Sequence, residues 1–298
     1  MSRTPPCCTK AVGLFAWVSF ERGLLGPYNA PMGMSYWSAW AKRVRRIAGW
    51  GLLALLSSSA CAALQDEIQV YSGEINQPGE YGLEWHINST PSGLSAPTYP
   101  GEITSHHGLR ITPEFSRGLT KTLEVGLYVP TAYSSQGTFY APGLKVRLKW
   151  LPIQSQDHHG FFAGVNVELS QVNQRFSQSP RSGEIRNILG WRNDDWLVAV
   201  NPIFGLSFSS GVGHTPGLEL ATKLNRRIAP GWSLGWERYH DRGPYNRFLP
   251  GSEQTLVNYL VLDRETPSYD LNVGLGRGQT TATDKWTFKA IWGFALGD

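Results

Sequence analysis

The stretch LKVRLKW, residues 144–150, decides how the chain is read. Leu144, Val146, Leu148 and Trp150 alternate with Lys145, Arg147 and Lys149. A helix would scatter the three cations around its circumference, whereas a strand lines them up on one face and the apolar residues on the other. The segment from Tyr81 to Asn88 repeats the pattern. Tyr81, Leu83, Trp85 and Ile87 point one way, and Gly82, Glu84, His86 and Asn88 the other.

Working outward, the same unit recurs to the end of the chain. Twelve alternating segments are predicted, at about 80–88, 108–117, 121–130, 143–151, 160–171, 184–193, 195–208, 217–228, 231–240, 254–264, 269–278 and 284–296. Several reach nine residues or more, enough to cross a bilayer when tilted. The connections alternate as well. Long ones rich in Gly, Pro and Ser follow the odd segments (89–107, 131–142, 172–183, 209–216, 241–253, 279–283), and short ones follow the even segments (118–120, 152–159, 194, 229–230, 265–268). An up-and-down transmembrane β-barrel has this layout, with tight turns at the periplasmic rim and long loops outside.

Large aromatics sit near the ends of the apolar faces: Trp85, Tyr128, Trp150, Phe161, Phe162, Trp191, Trp196, Trp232, Trp236, Trp286, Trp292 and Phe294. Trp and Tyr favour the headgroup zone, so two lipid-facing girdles are expected. A soluble β-protein with these rings as core is the alternative. Each segment carries one apolar face, and no helical pattern supplies a second layer to cover it. In lipid an open sheet edge would leave backbone groups unpaired, so closure is compulsory. The last segment, Trp286 to Leu296, alternates and stays aromatic like the C-terminal signal strand read by the barrel-assembly machinery, but it finishes Gly297-Asp298.

The first 62 residues differ from the rest. They hold seven of 27 Lys and Arg, one of 23 acids, and all three cysteines, Cys7, Cys8 and Cys61. The remainder has 20 basic and 22 acidic residues, which removes the case for nucleic acid as a partner. Its lack of cysteine suits an oxidising periplasm and excludes thiolate zinc sites. Lys42, Arg43, Arg45 and Arg46 precede the apolar run 47–56, followed by Ser57-Ser58-Ser59 and Ala60-Cys61-Ala62. This is a secretory signal, with cleavage expected after Ala62 or Ala63 and with Ala60 as the other small residue read by the peptidase. The signal occupies 34–62. Residues 1–33 read as an extension upstream of the true start at Met32 or Met34, or as a long n-region. Acylation at Cys61 is a weaker alternative, because Ser58 stands where an aliphatic residue is usual. Residues 63–79 are expected as a periplasmic leader or a plug, and 80–298 as the barrel. The expected location is the outer membrane of a Gram-negative bacterium, in contact with its lipid and lipopolysaccharide.

The stretches DEIQVYSGEINQPGEYGLEWHIN (66–88), RITPEFSRGLT (110–120), LKVRLKW (144–150), FFAGVNVELS (161–170), LGWRNDDW (189–196) and VGLGRG (273–278) resemble a proteobacterial family of uncharacterised outer-membrane proteins. That family is similar to the barrels grouped with the meta-pathway of phenol degradation. The resemblance covers the mature chain. It implies barrel and location, and function only by association.

If the apolar faces meet lipid, Glu84, His86, Arg110, Glu114, Lys145, Arg147, Lys149, Asn166, Glu168, Arg186, Glu219, Lys223, Glu237 and Lys289 line the lumen. They form either a polar pore, whose Lys145/Arg147/Lys149 row attracts anions, or an interior closed by ion pairs. His106-His107 and His158-His159 fall on opposite sides of an apolar band ~25 Å tall and cannot share a metal ion. No metal or cofactor is expected. A lipid hydrolase would need a serine, a base and an orienting group. Ser105-His106, and His86 with Ser89, are the nearest candidates, and neither has an evident third member. A porin-like passive channel for small solutes, apolar or aromatic ones among them, is the expected function. A closed barrel with a structural or loop-binding role comes second, and an enzyme is not expected.

Overall fold

Alternation of branched and aromatic residues with polar ones makes each segment a strand only if one face is kept from water and every backbone group finds a partner. A computed structural model describes residues 65–156 and 159–296, and the signal peptide, its cleavage site and the cysteines lie outside them. Among the described residues there are fourteen strands and no helix. They are β1 (Tyr81–Ser92), β2 (Leu109–Thr120), β3 (Leu123–Tyr128), β4 (Thr131–Tyr133), β5 (Phe139–Tyr140), β6 (Gly143–Ile153), β7 (Gly160–Val172), β8 (Arg181–Arg192), β9 (Trp196–Ser207), β10 (Gly217–Ala229), β11 (Trp232–Pro244), β12 (Thr255–Glu265), β13 (Asp270–Gly278) and β14 (Trp286–Ala295).

Every neighbouring pair is antiparallel, and β1 pairs with both β2 and β14, which closes the ring. Twelve strands make up the wall: β1, β2, β3 and β6 to β14. The expected segment 121–130 is cut short at Tyr128, because Pro130 has no N–H to give the ladder. The chain resumes alongside β2 as β4, which turns back as β5 in a small hairpin beyond the wall.

Short turns are built where the pattern breaks. Between β8 and β9 the Asn193 carboxamide oxygen accepts the N–H groups of Asp195 (2.9 Å) and Trp196 (2.7 Å). Between β10 and β11 the chain reverses at Pro230-Gly231, with Gly231 at a φ of 67°. These tight turns share one rim with the start of β1. The long connections at the other rim are tied together. Ile103 N donates to Arg175 O (2.8 Å), Leu94 N to Asp284 Oδ1 (2.8 Å) and Thr281 Oγ1 to Ser252 O (2.9 Å).

The outward face is apolar almost throughout, with Phe115, Leu144, Val146, Leu148, Trp150, Phe161, Leu169, Leu260 and Leu275 among its exposed side chains. Two expected girdle residues face inward instead. Tyr128 is fully buried, and Phe162 is 1% exposed. Phe161 and Phe162 are adjacent in a strand and cannot share a face. Tyr128 follows Glu124 and Gly126 on the inward parity of β3.

Candidate functional site: an inserted segment and the wall it meets

Residues 65–78 run inside the barrel. The chain enters at the tight-turn rim, where Gly79 N donates to Gly118 O (2.9 Å) and Gly118 N to Glu80 O (3.0 Å). A Cβ on Gly118 would lie 2.1 Å from the Gln77 carbonyl, so the segment passes directly over this glycine. An irregular chain inside a barrel has no ladder to satisfy its backbone, and here side chains of the wall take that part. Asn76 N donates to Glu124 Oε2 (2.7 Å), and Lys149 Nζ donates to Glu74 O (3.1 Å). Arg192 donates to Ser72 O (2.7 Å), Arg186 to Gln69 O (2.8 Å) and Lys289 to Ile68 O (3.0 Å). Asn201 brackets Tyr71, accepting its N–H at 2.7 Å and donating to its carbonyl at 3.1 Å. Asn88 donates to the carbonyls of Gln65 (3.0 Å) and Asp66 (3.1 Å).

The side chains of the segment sort by the wall they face. Ile68, Val70 and Tyr71 pack with Leu151, Phe162, Ile188, Ala199, Ile203, Ala221, Tyr239, Tyr259 and Val261. These apolar residues stand mainly on β8 to β12, interleaved with charged ones on the same strands. The sequence reading assigned apolar side chains to the outer face alone. Tyr71 turns its hydroxyl to that of Tyr128 (2.8 Å), and its ring lies 4.6 Å from Arg186, 5.1 Å from Lys149 and 5.9 Å from Arg147.

Charged side chains line the rest of the interior, on β1 to β3, β6 and β7 and between the apolar residues of β8 to β12. All fourteen residues named from the sequence as lumen candidates lie on the inward parity of their strands. Lys145 reaches Glu168 (3.3 Å) and two carboxylates of the segment, Asp66 (3.5 Å) and Glu67 (3.6 Å). Arg147 bridges Glu114 (2.5 Å) and Glu124 (2.7 Å), and Lys149 also reaches Glu124 (3.0 Å). The cationic row is thus paired along its length. Arg186 meets Glu184 (2.8 Å) and Glu67 (3.8 Å), and Arg192 meets Glu74. Across the barrel Lys223 pairs with Asp263 (2.7 Å) and Glu237 (3.4 Å), and the fully buried Lys289 also pairs with Glu237. Asn166 donates to Glu168 (2.8 Å). Arg110 lies 4.9 Å from the Phe176 ring, and Glu219 sits on β10 opposite Ile203 and Asp241. Inward parity also points to Glu124, Glu184 and Asp263, which lie outside the fourteen expected positions. A cavity of about 50 Å³ remains between Gln69 to Glu74 and the groups of Glu84, Glu114, Arg147 and Lys149, space for one or two waters.

Ligand atoms of Glu84, His86 and Glu114 lie within 4.8 Å of one another. His86 Nε2 is 3.1 Å from Glu114, which Arg147 also holds. The His106 and His107 rings lie 3.9 Å apart, tilted by 50°, and His106 Nδ1 accepts the Gly93 N–H (3.1 Å). His159 pairs with Asp194 (3.0 Å), and His158 lies outside the described residues. Ser105 donates to Asp284 Oδ1 (2.5 Å) with no imidazole between, so the relay from serine through histidine to carboxylate is not formed there. His86 and Ser89 point to opposite faces of β1.

No family model matches the chain, and no curated protein matches it. Solved structures do. The COG4313 outer membrane channel from Pseudomonas putida F1 is similar over 77% of this chain and 100% of its own, at 12% identity and a TM-score of 0.53. The NanC porin is similar over 73% of this chain and all of its own (12% identity, TM-score 0.45), and the KdgM porin over 72% and 99% (10%, 0.44). By fold, the chain is a closed twelve-stranded barrel of the kind found in outer-membrane channels.

Proposed function

We propose that the protein is a passive outer-membrane channel for small solutes with apolar or aromatic character, closed at rest by residues 65–78. The observation that carries this reading is the set of apolar side chains on the inner wall, beside the paired charges. A barrel serving only as a structural element gains nothing from Ile188, Ile203, Ala221, Tyr239, Tyr259 and Val261 on its inner wall. Such a surface suits a ligand that buries apolar area while a few polar groups orient it. The segment that covers this wall is a single strand of irregular chain, held by side-chain contacts and not by ladder bonds, so it can leave without opening the barrel. The sequence resembles an uncharacterised outer-membrane family that is itself similar to barrels grouped with phenol degradation, and this association motivates the choice of aromatic solutes. Among the described residues Ser105 bonds Asp284 directly, without a histidine between them, which favours transport over hydrolysis.

Planar-bilayer recording and liposome uptake test the proposal, with the processed protein compared with a variant lacking 65–78. The variant is expected to conduct steadily and to take up phenol-sized solutes faster than charged solutes of equal mass. Without Asp66 and Glu67, Lys145 loses two of its three carboxylate neighbours, so the variant should also favour anions. A folded variant that passes neither ions nor solute would replace the channel by a closed barrel acting through its loops.

A further inference from the structure

The outward surface of the tight-turn rim carries one arrangement three times. Arg117 lies directly across from Tyr81 on β2 and β1, Arg226 from Trp196 on β10 and β9, and Arg264 from Trp232 on β12 and β11. Each aromatic residue is the first of its strand, and each arginine stands in the last turnward residues of its own. The guanidinium carbon sits 5.0 Å, 5.3 Å and 5.0 Å from the ring centroid in the three pairs. The rings are outward and open, with Tyr81 46%, Trp196 39% and Trp232 38% exposed. Above them the surface is apolar, with Phe115, Leu224 and Leu234 exposed on the same faces.

The lumen shows the contrast. There, the cations of the wall are matched by carboxylates, whereas among the described residues these three outward arginines have no carboxylate partner. Arg264 donates one N–H to Pro230 O (3.0 Å), which fixes its orientation and leaves its other edge open. A guanidinium that meets a ring through its π face keeps N–H donors for a further partner, and their fork matches the oxygens of a phosphate. The aromatic belt sets the depth at the boundary between headgroup and hydrocarbon. An anion arriving with acyl chains attached would satisfy the cation and cover the neighbouring leucines and phenylalanine together. Long loops mark the outer rim, so this rim faces the phospholipid leaflet.

We propose that Arg117/Tyr81, Arg226/Trp196 and Arg264/Trp232 are three binding sites for the phosphate of inner-leaflet glycerophospholipids. The sites fix the depth and tilt of the barrel. The proposal rests on the membrane placement of the barrel and is independent of whether the lumen conducts.

Native mass spectrometry of the processed protein released from detergent tests it, with phosphatidylglycerol, a digalactosyl diacylglycerol without phosphate, or inorganic phosphate added. The wild type should retain up to three phosphatidylglycerol molecules and shed the glycolipid. The Arg117→Gln/Arg226→Gln/Arg264→Gln variant should lose at least ~10-fold of the retained lipid, while Arg247→Gln in an exposed loop should lose none. If the triple variant fails to fold, Arg226→Gln alone should lower the maximum from three lipids to two. Equal retention by the variants, equal retention of the glycolipid, or retention of inorganic phosphate in place of lipid would overturn the assignment.

Discussion

The hydroxyl of Tyr71, on the inserted segment, lies 2.8 Å from that of Tyr128 on the wall, and both side chains are buried. Around this contact the Tyr71 ring is covered by Arg186, Lys149 and Arg147, and its backbone is held at both ends by Asn201. Tyr71 is the anchor of the segment. Tyr71→Phe removes one hydrogen bond and should cost about 1 kcal/mol of seating. Tyr71→Ala removes a buried ring and should cost about 3 kcal/mol or more. At about 1.4 kcal/mol per tenfold, the alanine variant should raise the open fraction roughly a hundredfold in bilayer recordings. An unchanged open fraction would show that the anchor lies elsewhere.

Gly73 takes a φ of 90° against the Phe162 ring, and a Cβ there would sit 2.6 Å from a ring carbon. Gly73→Ala should therefore lift the segment, through overpacking of about 1–3 kcal/mol as well as the backbone penalty. Residues 63–298 contain no cysteine, so Ser72→Cys gives a clean reporter in the barrel and its inserted segment. Its reaction with a water-soluble maleimide should be several times faster beside Gly73→Ala than without it.

Lys289 is fully buried and is held by Glu237 and by the carbonyl of Ile68 (3.0 Å). Lys289→Met leaves Glu237 with Lys223 as its one remaining cation, and removal of one member of a buried pair costs about 3–5 kcal/mol. The temperature at which the folded band is lost on unheated gels should fall clearly. Adding Glu237→Gln should recover most of the loss, because Lys223 keeps Asp263 at 2.7 Å. If the double variant is as unstable as the single one, packing and not charge is the cause.

Asp284 joins two outer loops, accepting from Ser105 Oγ (2.5 Å) and Leu94 N (2.8 Å). Burial pushes its carboxyl above the usual carboxylate range, and these two donors pull against that shift. An acid with a raised value in the folded state keeps its proton after the unfolded chain has lost its own. The junction is therefore strongest at low pH and weakens as pH rises from the ordinary carboxylate value to the raised one. Hydrogen-exchange protection of residues 93–106, taken relative to the intrinsic rate at each pH, should fall across that interval, and Asp284→Asn, which stays neutral, should flatten the dependence. A dependence that survives the substitution would assign it to another group.

The wall was legible in the sequence because its signal is local and has two values. A residue in a strand faces either lipid or interior, so Leu144 to Trp150 declares both faces within seven positions, and the lengths of the connections add the up-and-down order. The reading failed where chemistry was allowed to overrule parity. Tyr128 and Phe162 were placed with the lipid-facing rings because they are aromatic, although their position in the alternation puts them inside. Residues 65–78 carry no period at all. Their apolar and charged side chains have meaning only once twelve strands have closed into a ring, with apolar wall residues for Ile68, Val70 and Tyr71 and donors for the segment's carbonyls. Sequence alone determined the up-and-down order of the strands and the alternation that gives each wall segment two faces. Tertiary closure decided what stands inside the barrel, because a lumen and the partners it offers do not exist until distant strands meet.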